Sequence, residues 1–271
     1  MDADAGYYVD TTGAISQTAC ATGTYQPSTG LTSCLDADAG YYVDATGANS
    51  QTACAAGTYQ PSTGQSSCLD ADAGHYVAIT ASISQPECAA GTYQPSTGQT
   101  SCLDADAGHY VDTTAATSQS QCAAGTYQPS TGQSSCLDAD AGHYVDTTAA
   151  TSQTQCAAGT YQPSTGQSSC LDAEIGHYVY NSAALDQESC SPGTYQPLTG
   201  QTNCLIADVD HYVENSEAIE QTECSKGTHQ PLVGQSECTD VDEGILPGLS
   251  GISTIIIVLL SGVFVAMYRR Q

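Results

Sequence analysis

Fourteen cysteines fall on two interleaved lattices with a period of 34 residues. One lattice runs Cys20, Cys54, Cys88, Cys122, Cys156, Cys190 and Cys224. The other follows each of these by 14 residues, at Cys34, Cys68, Cys102, Cys136, Cys170, Cys204 and Cys238. A fixed period of this kind marks stacked modules that touch their neighbours rather than one globule. The spacing argues against structural zinc, whose ligands come as CxxC or CxxxxC pairs, because no two cysteines lie closer than 14 positions. An even, regular set of cysteines in short modules reads instead as a disulfide framework formed in an oxidising, extracellular space.

The modules need such staples because they lack the means to build an apolar interior. The chain has no Trp, and its one Phe, Phe264, sits in a C-terminal hydrophobic run, leaving 17 Tyr and scattered Leu and Val as the bulky groups. Thr, Ser, Gly, Ala and Gln fill most other positions and bury too little apolar area to offset backbone entropy.

Within the 34 lies a period of 17. Glycine recurs at Gly6, Gly23, Gly40, Gly57 and onward to Gly193, gives way to Asp210, and returns at Gly227 and Gly244. Two residues after each, Tyr recurs from Tyr8 and Tyr25 to Tyr212, until His229 replaces it. These tyrosines read as stacking and packing groups. One 17-mer carries two cysteines, as in Cys122 to Cys136 (CAAGTYQPSTGQSSC). The next, as in Ala139 to Gln153 (ADAGHYVDTTAATSQ), has Ala and Gln in their places. Since the two positions are present or absent together, the pairing they suggest is Cys20–Cys34, Cys54–Cys68, Cys88–Cys102, Cys122–Cys136, Cys156–Cys170, Cys190–Cys204 and Cys224–Cys238. Loop entropy does not separate this from Cys34–Cys54 and its repeats, the two differing by about 0.3 kcal/mol.

In the stapled half, Tyr127 to Gln133 reads as a hairpin, with Pro129 presetting a type I turn and Gly132 closing a four-residue loop. The Thr- and Tyr-rich flanks suit short strands. No 3.6-residue apolar pattern appears before residue 245, so no helix is expected there.

The pattern Cys-x-x-Gly-Thr-Tyr-x-x-x-x-Gly-x-x-x-Cys, seen for instance from Cys54 to Cys68, resembles the ephrin-receptor-like cysteine-rich repeat over residues 1–240. That repeat belongs to the growth-factor-receptor cysteine-rich superfamily and is similar in style to tumour-necrosis-factor-receptor modules. The resemblance implies a non-catalytic surface module. It also exposes a departure: the family joins units by Cys-x-x-Cys, whereas here Cys136 is followed by Ala139, and the unstapled halves are expected to be looser. The fold class expected is therefore small disulfide-rich repeats of short β-hairpins and irregular structure, arranged as an elongated rod, with one C-terminal transmembrane helix.

At the C-terminus, Leu249 to Tyr268 is a run of 20 uncharged, mostly apolar residues, enough to span a bilayer. Arg269 and Arg270 follow directly, which places them in the cytoplasm and the repeats outside. The organisation expected is repeats over 1–240, a linker over 241–248, a transmembrane helix over 249–268 and a cytoplasmic tail over 269–271. Pro247-Gly248, the apolar span and the arginine pair also resemble a microbial Pro-Gly-Phe-type sorting signal, with Leu249 where Phe is expected; that resemblance implies cleavage of the tail. Met1 begins inside a repeat, where Leu35 and Leu69 stand in later copies, so a longer precursor is expected upstream.

All 29 acidic residues lie at or before Glu243, where Lys226 is the sole basic residue. Nucleic acid is excluded as a partner, for want of any basic stripe. The recurring Asp-Ala-Asp-Ala-Gly offers calcium candidates at Asp104, Asp106, Asp138 and Asp140. It matches an EF-hand loop poorly, and solvated acidic turns are the expected reading, with no cofactor. His75, His109, His143, His177 and His211 occupy a position that Tyr7 and Tyr41 fill in earlier copies, so they carry no required metal or acid–base role. No nucleophile elbow, phosphate loop or HExxH is present, and near-identical copies do not make the unique constellation an active site requires. No catalytic residue is named. The function expected is a surface-anchored stalk or multivalent adhesin with an unknown extracellular partner. The alternatives are a ligand-binding receptor ectodomain or a calcium-dependent adhesin. Thiol titration of native, unreduced protein is expected to find no free sulfhydryl, and fourteen accessible thiols would overturn both the architecture and the extracellular location.

Overall fold

A computed structural model describes residues 2–240, and the apolar run, the linker and the arginine pair lie outside the described residues. It contains twenty-six strands of two residues each, and no helix is present among the described residues. None there is long and apolar enough to cross a membrane. Contacts divide the chain into two compact units. The first takes the described residues up to Leu171 with Ser182–Asp186, and the second takes Asp172–Asn181 with the described residues from Gln187 onward.

The strands pair within single 17-mers as antiparallel hairpins. In the first unit, β1 (Tyr7–Tyr8) pairs with β2 (Thr18–Ala19), and β3 (Thr24–Tyr25) with β4 (Leu35–Asp36). In the second, His177 pairs with Ser189 and Thr194 with Ile206. The turn expected over residues 127–133 is wider than the sequence suggests. Tyr127 pairs with Leu137, beyond Cys136, so nine residues separate the two strands. The cause is Gln128, which lies inside the loop instead of on a strand. Its Nε2 donates to the Ser135 carbonyl at 2.9 Å, and its Oε1 accepts from the Ser130 N–H at 3.1 Å.

With ladders this short, most of the backbone hydrogen bonds outside them run between 17-mers. Gly23 N–H donates to Val43 O (2.7 Å), Gln26 N–H to Ala48 O (3.0 Å), and Gly47 N–H back to Cys20 O (2.8 Å). The second unit repeats the scheme, with Gly193 donating to Val213, Gln196 to Ala218 and Glu217 to Cys190. This is how a chain poor in apolar groups satisfies its amides while remaining polar.

The buried column is correspondingly thin. It alternates Ala and Cys at one position (Ala105 and Cys122, for example) and Val and Gln at another (Val111 and Gln128). A core of Ala and Val supplies little transfer energy, so close backbone contact has to supply the rest. Gly125 shows how close. It has φ of +89°, and a Cβ there would sit 2.3 Å from the carbonyl oxygen of Gly166, two 17-mers further on. At Asp210 the glycine series breaks, and the aspartate keeps a positive φ of +59°.

Gly125→Ala is therefore expected to cost about 3 kcal/mol, combining overpacking with a left-handed backbone that alanine resists. Ala115, with φ of +53°, already pays such strain, and Ala115→Gly is expected to lie between neutral and about 1 kcal/mol stabilising. Denaturant unfolding of the two variants checks the contrast.

Candidate functional site

Every cysteine in the chain is bridged, and none is free. The bonds join Cys20–Cys34, Cys54–Cys68, Cys88–Cys102, Cys122–Cys136, Cys156–Cys170, Cys190–Cys204 and Cys224–Cys238, each across 14 positions. The first cysteine of each of the first six pairs is fully buried. The disulfide therefore forms part of the core as well as closing the loop.

The 17-mers without cysteine are not left open, contrary to the looseness expected of them. Asp106 N–H donates to Gln119 Oε1 (2.7 Å), and Gln119 Nε2 donates back to Asp106 Oδ2 (2.6 Å). The same reciprocal pair links Asp38 to Gln51, Asp140 to Gln153 and Asp208 to Gln221. Gln119 stands where its neighbours carry the second cysteine, and Asp106 follows Ala105, which stands where they carry the first. A two-bond polar clamp thus closes the loop at the place where the alternate unit uses sulfur.

This placement accounts for the acidic candidates. Asp106 and Asp140 are engaged by glutamine amides, whereas Asp104 and Asp138 lie on strands beside Gly132 and Gly166 of the next stapled loop. The two carboxylates of a motif serve different loops, and among the described residues no group of three or more metal-ligating side chains converges. The five histidines do not converge either. Each places Nδ1 within 3.0–3.4 Å of a backbone carbonyl two residues earlier in its own 17-mer. His177 also lies 3.8 Å from Glu217.

A groove recurs beside the tyrosine of the unstapled hairpin. In the first unit it is lined by Tyr8, Ala21, Thr24, Ser33 and Cys34 (about 470 Å³) and again by Tyr144, Ala157, Thr160, Ser169 and Cys170 (about 320 Å³). The second unit forms it with Tyr212, Ser225, Thr228, Glu237 and Cys238 (about 410 Å³). The five positions are separated by whole multiples of 34 residues. One wall is rigid by construction: the cysteine is bridged, and the threonine hydroxyl donates to the carbonyl of Ala21, Ala157 or Ser225 at 2.8–2.9 Å. The tyrosines Tyr8, Tyr144 and Tyr212 are half-buried, so each offers part of its ring to the groove. Tyr178 holds the equivalent place in another copy. There the hydrogen bond its phenol donates to Glu188 (2.7 Å) raises its pKa above the usual tyrosine value, with desolvation and the glutamate's charge adding to the shift. Phenol faces, hydroxyls and disulfide sulfur equip such grooves for reversible contact through stacking and hydrogen bonds.

The glutamines carry more of the structure than their sequence signal suggested. Those replacing cysteine read as a missing staple, and the buried set from Gln26 to Gln230 carried no signal beyond its period. The sequence profile described as tyrosine-protein kinase ephrin type A/B receptor-like matches residues 40–88, 74–122 and 120–156. No curated protein matches the chain.

If clamp and disulfide are interchangeable closures, the double variant Ala139→Cys, Gln153→Cys should oxidise spontaneously. The expected gain is about 3 kcal/mol against denaturant, with no new free thiol by mass spectrometry.

Proposed function

We propose that this protein, whose residues 40–156 match the ephrin-receptor-like cysteine-rich repeat, is a non-enzymatic, extracellular, receptor-like ectodomain serving as a stalk and multivalent adhesive surface. The single observation that carries this reading is the recurrence of one groove, with the same five positions, in separate 34-residue copies. Identical shallow sites bind weakly one at a time and strongly when several engage one surface, and avidity then grows with copy number. The chain is held to its membrane by the apolar span from Leu249 to Tyr268, with Arg269 and Arg270 on the cytoplasmic side. In that arrangement the number of repeats sets the distance at which the grooves are presented.

The engagement of Asp106 and Asp140 by glutamine amides favours calcium-independent contact, since a cation would have to displace those bonds. Calorimetry of the full chain is expected to show no binding near one Ca²⁺ per repeat at millimolar calcium.

Deleting residues 105–138 removes one whole repeat in register, and deleting 71–138 removes two. Surfaces displaying these forms are expected to lose adhesion to a repetitive target at least tenfold across the series. Equal adhesion from all three forms would overturn the multivalent reading. Saturable 1:1 capture of one soluble partner, unchanged by the deletions, would assign the chain to ligand-binding receptors instead.

A further inference from the structure

The last two repeats depart from the others at exposed positions, and they depart in the same way. The residue before the glycine of the unstapled half, or before Asp210 in the last copy, is Ala5, Ala39, Ala73, Ala107 and Ala141, and then Ile175 and Val209. The residue after the loop proline of the stapled half is Ser28, Ser62, Ser96, Ser130 and Ser164, and then Leu198 and Leu232. Ile175 is 46% exposed, Val209 52%, Leu198 61% and Leu232 63%, and Val233 beside the last is 55% exposed. Folding does not call for these side chains, because five earlier copies close the same loops with Ala and Ser.

Within the second unit the copies that carry the substitutions are in contact. A Cβ on Gly176 would lie 2.3 Å from the Glu217 carbonyl, and one on Gly193 would lie 2.2 Å from that of Gly234. Successive copies therefore touch, and Ile175 with Val209, and Leu198 with Leu232, repeat along adjacent coils. Charge changes at the same boundary. Residues 187–240 hold nine carboxylates and one lysine, Lys226, whereas the matching stretch two copies earlier, 119–172, holds four carboxylates.

A surface that becomes more apolar and more acidic together is suited to a partner that is both apolar and basic. A second copy of the same surface, or an anionic lipid headgroup, would be repelled by those carboxylates. We propose that the last two repeats form a docking surface for a basic, amphipathic protein segment, with Ile175, Val209, Leu198 and Leu232 as its apolar contacts and the surrounding carboxylates holding its lysines or arginines. Its four apolar contacts lie outside the lining of the second-unit tyrosine groove, which shares only the carboxylates Glu214 and Glu237 with this surface.

The test compares the full chain in neutral-lipid nanodiscs with the variant Ile175→Ala, Val209→Ala, Leu198→Ser, Leu232→Ser. Each replacement is the residue that the earlier copies carry, so folding is preserved, and absence of free thiol verifies it. The probe is a fluorescent amphipathic peptide of leucine and lysine, read by anisotropy. The parent is expected to bind at least tenfold more tightly than the variant, and to weaken between about 50 mM and about 500 mM salt as the carboxylates are screened. Equal binding by parent and variant would overturn the proposal, as would equal binding of a leucine–glutamate peptide. Concentration-dependent self-association of the parent, lost in the variant by sedimentation, would give the surface to a second copy. Binding of the parent to neutral vesicles, lost in the variant, would give it to lipid. Either result replaces the proposal.

Discussion

Loop closure without an apolar interior is the constraint on which the rest of the structure depends. A 17-residue segment of Thr, Ser, Gly, Ala and Gln cannot offset its backbone entropy by burial, so its ends must be tied. The chain ties them in two ways, in alternation. A disulfide across 14 positions closes one 17-mer, and a reciprocal aspartate–glutamine clamp closes the next. The covalent closure limits the unfolded ensemble, whereas the polar closure acts only in the folded state. Their alternation keeps the same hairpin whether the closure is covalent or polar.

The second constraint is backbone satisfaction. Hairpins with two-residue strands leave most amides without a ladder partner, and several in each 17-mer are met across its boundaries, as Gly23 to Val43 and Gly193 to Val213 show. Such bonds require the coils to approach closely, and glycine at the approach point is the consequence. Gly125 combines positive φ with the absence of a Cβ that would strike the Gly166 carbonyl. Alanines at positive φ, such as Ala115, occupy the carbonyl side of this contact, where a side chain still has room.

Repetition shapes what the molecule can do. Copies that preserve the Tyr–Thr–Cys groove multiply one modest site, which suits contact with an extended surface more than chemistry on a single substrate. The apolar and acidic substitutions of the last two copies are informative because, at the same positions, the upstream repeats serve as an internal control for what folding demands.

The period, the staple requirement and the short-hairpin character were written in the sequence, since each follows from local spacing: cysteines 14 apart, glycine every 17 residues, and the missing 3.6-residue pattern. Relations between segments were decided by the tertiary structure. Glutamine in a cysteine's place reads as a loss until Gln119 is found opposite Asp106, and paired carboxylates read as merely solvated turns until Asp106 is seen to accept from Gln119 while Asp104 lies beside Gly132. The buried Gln128 widened a turn that its proline and glycine described as tight. The physical reason is common to all three: a polar side chain has many possible partners, and spacing along the chain does not say which of them folding brings within hydrogen-bond reach.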